Sequence, residues 1–461
     1  MAGIFKAYDV RGIYPTEIDE STAKAIGLAF PVVLDDSDLG QGKSIVVGRD
    51  MRPSSAPLQA ALVEGLLEAG FDVVDVGLVT TPMSYFAVGH LGAAGGVQVT
   101  ASHNPPRYNG FKFSRRDARP VSGDRGIPDL ERRVTGGGLQ GSGTRGRAGA
   151  VDVMPAYREH LLRFLRPAPT SAGAAAAASG GRRLKVAVDA ANGMGCLYRP
   201  LLEAAGVDLE LLYFELDGTF PNHEPNPLKL ENLADLCRRV RETGADLGVS
   251  FDGDADRAAF VDERGDPVGS DIMTALIAGE LLAREPGKAV VYDLRSSRAV
   301  AEHIAARGGI PVRERVGHSF IKATLRKHHG IFGGELAGHY YFRDNYHADC
   351  SLAAVFEILN LLRSSGKSLS QLAAPLLKYW KTPEINFEVE DKAGAMAELA
   401  RRFADGVIDY LDGITVQYPD WWFNVRPSNT EPLLRLVLEA DTRETLEEKK
   451  AILIGFLGAP V

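Results

Sequence analysis

Cysteine is scarce: Cys196, Cys237 and Cys350 are the only three in 461 residues. An odd number at wide spacing excludes a disulfide framework and a CxxC metal knuckle, and predicts buried or inert thiols in a reducing compartment. Long apolar runs are missing too. The N-terminal Met-Ala-Gly-Ile-Phe-Lys-Ala-Tyr-Asp has no signal-peptide core, and no later run is long enough and uncharged enough to cross a bilayer. These absences predict a soluble cytoplasmic protein with no membrane partner. There is no excess of positive charge either. Lys and Arg number 52 against 60 Asp and Glu, a net charge of −8, which leaves no broad footprint for nucleic acid. An anionic substrate must therefore be held by a local basic pocket. Glycine (50) and proline (25) are too few and too aperiodic for a fibrous chain. What is present, 45% hydrophobic and 24% charged residues, is the composition of a folded globular chain. At about 150 residues per domain the length suggests three or four domains.

One pattern recurs three times. Ser44–Gly48 is a short apolar run, followed by turn residues 49–55, a helical period over Leu58–Ala69, Gly70, and a second apolar run, Phe71–Val76. Lys185–Val188 through Val207–Tyr213 repeats the order, as does Ala289–Tyr292 through Ile310–Val316. Such alternation predicts β-α-β units in mostly parallel sheets. Each copy is followed by a strand running into a polar loop: Val97–Thr100 into 101–106, Leu247–Phe251 into 252–257, and Gly330–Phe332 into 334–339. Ligands of open α/β sheets bind outside the carboxyl ends of strands, so these loops are where chemistry is expected. After about residue 376 a smaller α+β domain is predicted, with strands at Ile385–Val389, Ile414–Tyr418, Trp421–Val425 and Leu433–Leu438, and helices at Ala395–Phe403 and Arg443–Phe456. The fold class is α/β: three related mixed α/β domains plus a smaller C-terminal α+β domain. The divisions read as 1–150, 151–256, 257–375 and 376–461. Two stretches read as exposed by composition, Gly136–Gly149 and Pro167–Arg183 with its Ala174–Ala178 run.

The loop Asp252-Gly253-Asp254-Ala255-Asp256-Arg257 places carboxylates at i, i+2 and i+4, which share one face of an extended segment. Three carboxylates need a cation, and hard oxygen ligands favour Mg²⁺ or Ca²⁺ over zinc. An EF-hand is excluded because Arg257 stands where that loop needs glycine, and a strand at Ala258–Val261 carries Glu263 away. In Thr100–Pro106, Ser102 has His103 beside it and Lys112 further on; it is a nucleophile, a phosphate ligand or an ST-turn. Asn109-Gly110-Phe111-Lys112 reads as a turn. Glu335 and His339 flank Ala337-Gly338 and suit sugar hydroxyls. Arg426, Ser428, Asn429 and Thr430 gather a guanidinium fork, two hydroxyls and an amide in five residues stiffened by Pro427 and Pro432, as a phosphate site requires. A metal, a strand-end serine and an anion loop together point to phosphoryl transfer.

The strings Thr-Ala-Ser-His-Asn-Pro-Pro (100–106), Asp-Gly-Asp-Ala-Asp-Arg (252–257), Gly-Glu-Leu-Ala-Gly-His (334–339) and Arg-Pro-Ser-Asn-Thr-Glu-Pro (426–432) resemble the four signature loops of the α-D-phosphohexomutases, in the family's order and spacing. Tyr8-Asp9-Val10-Arg11-Gly12 resembles the family's N-terminal strand-turn. The resemblance covers essentially the whole chain. It implies four domains around a central cleft, a phosphorylated Ser102, and Mg²⁺ held by Asp252, Asp254, Asp256 and a phosphoserine oxygen. The implied reaction moves phosphate between O1 and O6 of a hexose through a hexose 1,6-bisphosphate. Arg11 and Lys112 would stabilise the transferring group, with His103 in the same network. Tyr8, Arg257, Arg295, His318, Glu335 and His339 would contact the sugar phosphate. Arg426, Ser428, Asn429 and Thr430 would clamp the distal phosphate.

Two departures bear on specificity. Ala337 stands where the family often has serine, and Arg295 where many relatives carry lysine. Leu336 replaces the glutamine typical of phosphoglucosamine mutases, which argues against an amino sugar. The runs 334–342 and 420–432 look most like bacterial phosphomannomutases, several of which accept glucose phosphates. A metal-dependent phosphatase and a sugar-phosphate-binding protein without turnover are the competing readings. The expected partner is a small sugar phosphate, and the expected assembly a monomer or small homo-oligomer.

Overall fold

The structure, a computed structural model, describes residues 3–40, 42–121, 126–166, 182–428 and 433–461. Four sheets follow one another along the chain. The first holds β1 (Asp9–Ile13), β2 (Ser44–Arg49), β3 (Asp72–Leu78), β4 (Gly95–Val99), β5 (Tyr108–Arg115), β6 (Arg119–Pro120) and β7 (Ala148–Ala150). The second holds β8 (Lys185–Asp189), β9 (Asp208–Leu212), β10 (Leu247–Phe251), β11 (Ala258–Val261) and β12 (Pro267–Val268). The third comprises β13 (Ala289–Asp293), β14 (Ile310–Glu314), β15 (Phe332–Gly334), β16 (Tyr340–Phe342) and β17 (Ala348–Asp349). The C-terminal sheet is antiparallel: β18 (Trp380–Lys381), β19 (Ile385–Phe387), β20 (Val407–Asp409), β21 (Ile414–Gln417), β22 (Trp421–Pro427) and β23 (Leu434–Ala440).

The threefold repeat is a topological one. In each of the first three sheets the strands of one copy lie in the order third, first, second (β4-β2-β3, β10-β8-β9, β15-β13-β14), all parallel. An antiparallel strand then follows the third: β5, β11 or β16. The strand before the functional loop thus sits inside its sheet with both edges paired, and that position fixes where the loop emerges.

The structure alters three details of the sequence reading. Asn109-Gly110 is not a turn but lies inside β5, opposite Arg11 and Gly12 of β1. A Cβ on Gly110 would sit 2.0 Å from the Val10 carbonyl oxygen, so glycine serves close strand approach here. The Gly136–Gly149 stretch ends as a strand, with Ala148–Ala150 pairing parallel to β3. Residues 256 and 257, read as a division, lie between hydrogen-bonded partners β10 and β11, so the second sheet continues to Val268. Of the exposed stretch read at Pro167–Arg183, residues 167–181 lie outside the described residues.

One apolar cluster runs from the first unit through the second and third, with Phe86, Tyr157, Phe251, Phe260 and Phe332 among its members. The C-terminal sheet has its own core of Phe387, Trp421, Phe423, Leu436 and Leu453. Among the described residues no helix is long and apolar enough to cross a membrane. The three cysteines are free; burial pushes the Cys196 thiol up to about 12 and Cys350 up to about 11, so both are inert near neutrality.

Candidate active site

Ser102 follows β4 in left-handed backbone, φ 50°, which a non-glycine residue holds only when its surroundings impose it. The imposition comes from Arg52. Its guanidinium is buried and donates to the carbonyl oxygens of Ser102 (2.8 Å), Asn104 (2.6 Å), Pro105 (2.8 Å) and Tyr108 (3.1 Å). Asp50 orients it through Nε at 3.2 Å. The Ser102 N–H donates to Thr100 Oγ1 at 2.9 Å. Held this way, Ser102 Oγ donates to Asp252 Oδ2 of the second sheet at 2.8 Å, with His103 Nδ1 3.3 Å away. Burial, with Arg257 and Arg11 nearby, pushes His103 well below the usual imidazole range, so it is neutral and suited to accept a proton.

The three aspartates converge, but not by strand alternation. The chain turns after Phe251, with Ala255 at φ 60°, and one carboxylate oxygen of each of Asp252, Asp254 and Asp256 lies within 4.8 Å of the others. Glycine at 253 is what lets this turn touch the serine loop: a Cβ there would stand 2.3 Å from Ser102 O. Lys112, on β5, spans the trio from the first sheet, donating to Asp254 Oδ2 (2.6 Å) and Asp256 Oδ2 (2.5 Å). Thr81 Oγ1 also donates to Asp254 Oδ2, at 2.6 Å. Burial and the neighbouring Asp256 and Asp254 charges push Asp252 well up, and burial of Lys112 is outweighed by Asp254 and Asp256, which keep its ammonium charged. Asp254 Oδ1 and Asp256 Oδ1 are buried with no hydrogen-bond partner. Asp254 Oδ1, and Asp256 Oδ1 approached by His339 Nε2 at 3.4 Å and Arg257 Nε at 3.9 Å, belong to an all-oxygen trio of the kind a hard divalent cation takes.

The second and third loops are joined through backbone: Arg257 and His339 form an isolated β-bridge, and Ala258 N donates to Gly338 O at 3.0 Å. His339 Nε2 reaches to 3.4 Å of Asp256 Oδ1 and 3.2 Å of Arg257 Nε, while Nδ1 lies 2.9 Å from Glu335 Oε2. Burial lowers His339, yet Asp256 and Glu335 overcome it and raise the imidazole to about 9. Burial likewise opposes ionisation of Glu335, but His339 and the Tyr341 hydroxyl at 2.5 Å hold it well below the carboxylate range. Glu335 Oε1 accepts from Gly317 N at 3.0 Å, next to His318, whose ring meets Tyr8 edge-on at 5.2 Å. Arg11 donates to Asp9 Oδ2 (2.8 Å) and Asn104 Oδ1 (2.7 Å), facing the serine loop.

Arg426 at the end of β22 donates to Glu384 Oε2 at 2.8 Å, and its buried Nε is unpartnered. Glu384 also accepts from Arg295 (3.4 Å) and Arg435 (3.0 Å), so one carboxylate stands among three guanidiniums. Burial, then Arg295, pushes the Arg426 guanidinium down. Ser428 N donates to Leu433 O at 2.8 Å; Asn429 and Thr430 lie outside the described residues.

Arg52, Glu384, Arg435 and Asp293 were not singled out from sequence. One signal was there: each copy's first strand ends in an aspartate (Asp189, Asp293) or is followed directly by one (Asp50). In each, Oδ1 accepts the N–H two residues on, at 3.0 Å from Arg52, 2.8 Å from Ala191 and 2.8 Å from Arg295. Each orients a basic side chain: Arg52, His223 (3.0 Å) and Arg295 (2.7 Å). Asp293 Oδ2 also accepts from Leu336 N at 2.7 Å, tying Arg295 to the sugar loop.

Four family models described as phosphoglucomutase/phosphomannomutase match in order: alpha/beta/alpha domain I at residues 2–137, domain II at 166–265, domain III at 269–379, and the C-terminal domain at 384–454. The chain is 40% identical to a Xanthomonas campestris pv. campestris protein named phosphohexose mutases, over 94% of each chain. It is 38% identical to an Escherichia coli phosphomannomutase over 95% of each. Among solved structures, a phosphoglucomutase/phosphomannomutase family protein from Burkholderia thailandensis superposes with a TM-score of 0.88 at 34% identity, covering 100% of this chain and 98% of the other.

Proposed function

The chain belongs to the phosphoglucomutase/phosphomannomutase family and is a phosphohexomutase, and we propose that it shuttles phosphate between O1 and O6 of mannose by way of Ser102. The observation that carries this reading is the 2.8 Å contact from Ser102 Oγ to Asp252 across two sheets, which sets the serine hydroxyl against the acidic trio. A phosphoryl group on Oγ would face Asp252, Asp254 and Asp256, the residues that would hold Mg²⁺. The ion, when bound, neutralises charge on the phosphoryl oxygens.

In the proposed cycle a sugar hydroxyl attacks the phosphoserine phosphorus. The P–Oγ bond breaks, a P–O bond to the sugar forms, the hydroxyl proton passes to neutral His103 or an adjacent carboxylate, and a proton returns from there to the departing Ser102 Oγ. Lys112 and Arg11 offset charge on the transferring group. The hexose 1,6-bisphosphate then turns over, so that its other phosphate returns to Ser102. Arg426, Ser428, Asn429 and Thr430 hold the non-reacting phosphate, with Arg295 next to Arg426 around Glu384. Arg257, Glu335, His339, His318 and Tyr8 contact the sugar. Binding energy from the remote phosphate is used to orient the reacting one. Mannose is favoured by the relatives named phosphomannomutase, and Leu336 argues against an amino sugar.

Release of free phosphate is the weaker reading. The relatives that match nearly the whole chain are named as mutases, which favours transfer to a sugar over transfer to water. The three free cysteines support a reducing, cytoplasmic location. Ser102→Ala is expected to lower mutase turnover by about 10³-fold or more and to abolish a substrate-labile phosphate adduct in the intact-protein mass. Unchanged turnover would remove Ser102 as the carrier. Side-by-side kcat/KM on mannose, glucose and glucosamine 1-phosphates decides the sugar.

A further inference from the structure

Two adjoining cavities, lined by no residue of the four loops, lie where helix Met154–Leu162, residues 117–119 and the third unit meet. The more basic, about 540 Å³, is lined by Arg119, Arg163, Arg326, Arg343, His160 and His347, with the exposed carboxylates of Asp117 and Asp344 also present. Arg119 is committed to Asp38, and Arg343 to Glu285 and Asp344. Arg163 and Arg326 pair with no carboxylate among the described residues. Arg326 donates only to backbone oxygens, of Lys322 (3.1 Å), Asp117 (2.9 Å) and Tyr346 (2.5 Å). Arg163 reaches only His160.

The lining therefore holds four guanidiniums against the two carboxylates of Asp117 and Asp344, with Arg163 and Arg326 in no ion pair among the described residues, and its titrating groups register the excess. Burial and Arg119 push Arg326 down to about 10; burial, Arg326 and Arg343 push His347 down to about 4. The backbone is strained in adjacent pairs on both sides: Asp117 and Ala118 at φ 57° and 53°, Tyr346 and His347 both at 55°. Non-glycine residues in this region gather at ligand clamps, as Ser102 and Ala255 do in the catalytic loops. The neighbouring cavity, about 450 Å³, shares His160, Arg163 and Arg343 and adds the apolar side chains of Phe164, Leu281, Ile331 and Phe342. Its carboxylates Glu285 and Glu357 are already paired with Arg343 and Arg284.

We propose that the joined cavities bind a phosphate monoester, its dianion among Arg163, Arg326 and His347 and its organic group against Phe164 and Phe342. Guanidinium forks match phosphate oxygens, and a ligand of drug-like size fits the volume. Occupancy would tie Arg119 of the first unit to Arg326 of the third. Helix His318–Lys327 carries both Arg326 and, about 12 Å along its axis, the sugar-loop neighbour His318.

Calorimetric titration of wild type, R163Q and R326Q with phenyl phosphate, and separately with inorganic phosphate, tests this. The expected result is a phenyl phosphate site weakened by about tenfold or more in both variants, with mutase kcat/KM unchanged when no titrant is present. Weaker binding of inorganic phosphate supports the ester; equal affinity overturns the ester assignment in favour of free phosphate. Should R326Q fail to fold, exposed Arg163 still supplies the measurement. Phenyl phosphate binding that is identical in R163Q and wild type overturns the site.

Discussion

Arg426 is the side chain on which the proposed phosphate contact turns. It is 1% exposed, and its partner Glu384 is shared with Arg295 and Arg435. Glu384 is divided among three guanidiniums, of which Arg295 has Asp293 as well, and Arg426 is the donor the proposed phosphate would engage. Losing a charge-assisted hydrogen bond costs about 1.5–3 kcal/mol. Arg426→Ala is therefore expected to raise KM for the hexose phosphate by about 10- to 100-fold, with a smaller change in kcat; steady-state kinetics read the split, and an unchanged KM places the phosphate elsewhere. At this scale the sequence was informative about donors and silent about partners. Arg426, Ser102 and the aspartates stand in dense polar strings after apolar runs, whereas Glu384 and Arg435 come from separate segments that only folding brings together.

Elements meet in this molecule where glycine allows backbones to touch. Gly253 lies against Ser102 O, and alanine there would force the metal loop from the serine loop. A displacement of about 1 Å at reacting groups costs about 100-fold in rate. Gly253→Ala is thus expected to lower kcat per folded molecule by about that factor, alongside a stability loss of about 1–3 kcal/mol. A control lies far from the site, where helices Glu20–Ala29 and Ser55–Glu68 cross. A Cβ on Gly27 would sit 2.3 Å from Leu62 O, and one on Gly65 2.2 Å from Lys24 O. Gly27→Ala is expected to cost about 1–3 kcal/mol in urea unfolding with activity per folded molecule retained. Strands and loops were legible as elements because apolar runs end in polar clusters at the same place in each repeat. Asn109-Gly110 misled because its turn chemistry is a local preference, and the β1–β5 register overrode it.

In the molecule as a whole, one apolar cluster links the first three units, the first unit has a second large core of its own built on Phe30, Leu62 and Phe111, and the C-terminal sheet is cored separately and makes polar contacts to the third unit. Arg298 donates to the carbonyl oxygens of Tyr418 (2.5 Å), Pro419 (3.0 Å) and Trp421 (3.1 Å). Lys381 of β18 pairs with buried Asp271, at the start of helix Ser270–Leu282. Burial opposes the Asp271 charge, but Lys381 and the N–H groups of Ser297 and Ile272 outweigh it and lower its proton affinity. A carboxylate lowered in the folded state stabilises above its unfolded pKa of about 3.9 and loses that contribution as pH falls through the folded value. Asp271→Asn is therefore expected to be less stable than wild type by a constant margin from pH 7 to 5, shrinking below about pH 4 in thermal melts. A margin unaffected by pH would show the pair contributes no charge.

The residues in order determined the class of fold, the three copies, the places where strands hand over to polar loops, and the chemical character of each loop. These are local properties, carried by periodicity and by side-chain type over a few positions. Tertiary structure alone decided that Asp252, Asp254 and Asp256 converge through a turn, that Lys112 bridges two of them from another sheet, and that Arg52 locks the serine loop. It also decided that Arg163 and Arg326, in ion pairs with no carboxylate among the described residues, share a cavity. The Arg52 and Lys112 contacts join residues 50 and 142 positions apart, and the burial that perturbs Asp252 and Lys112 exists only once the chain has closed around them.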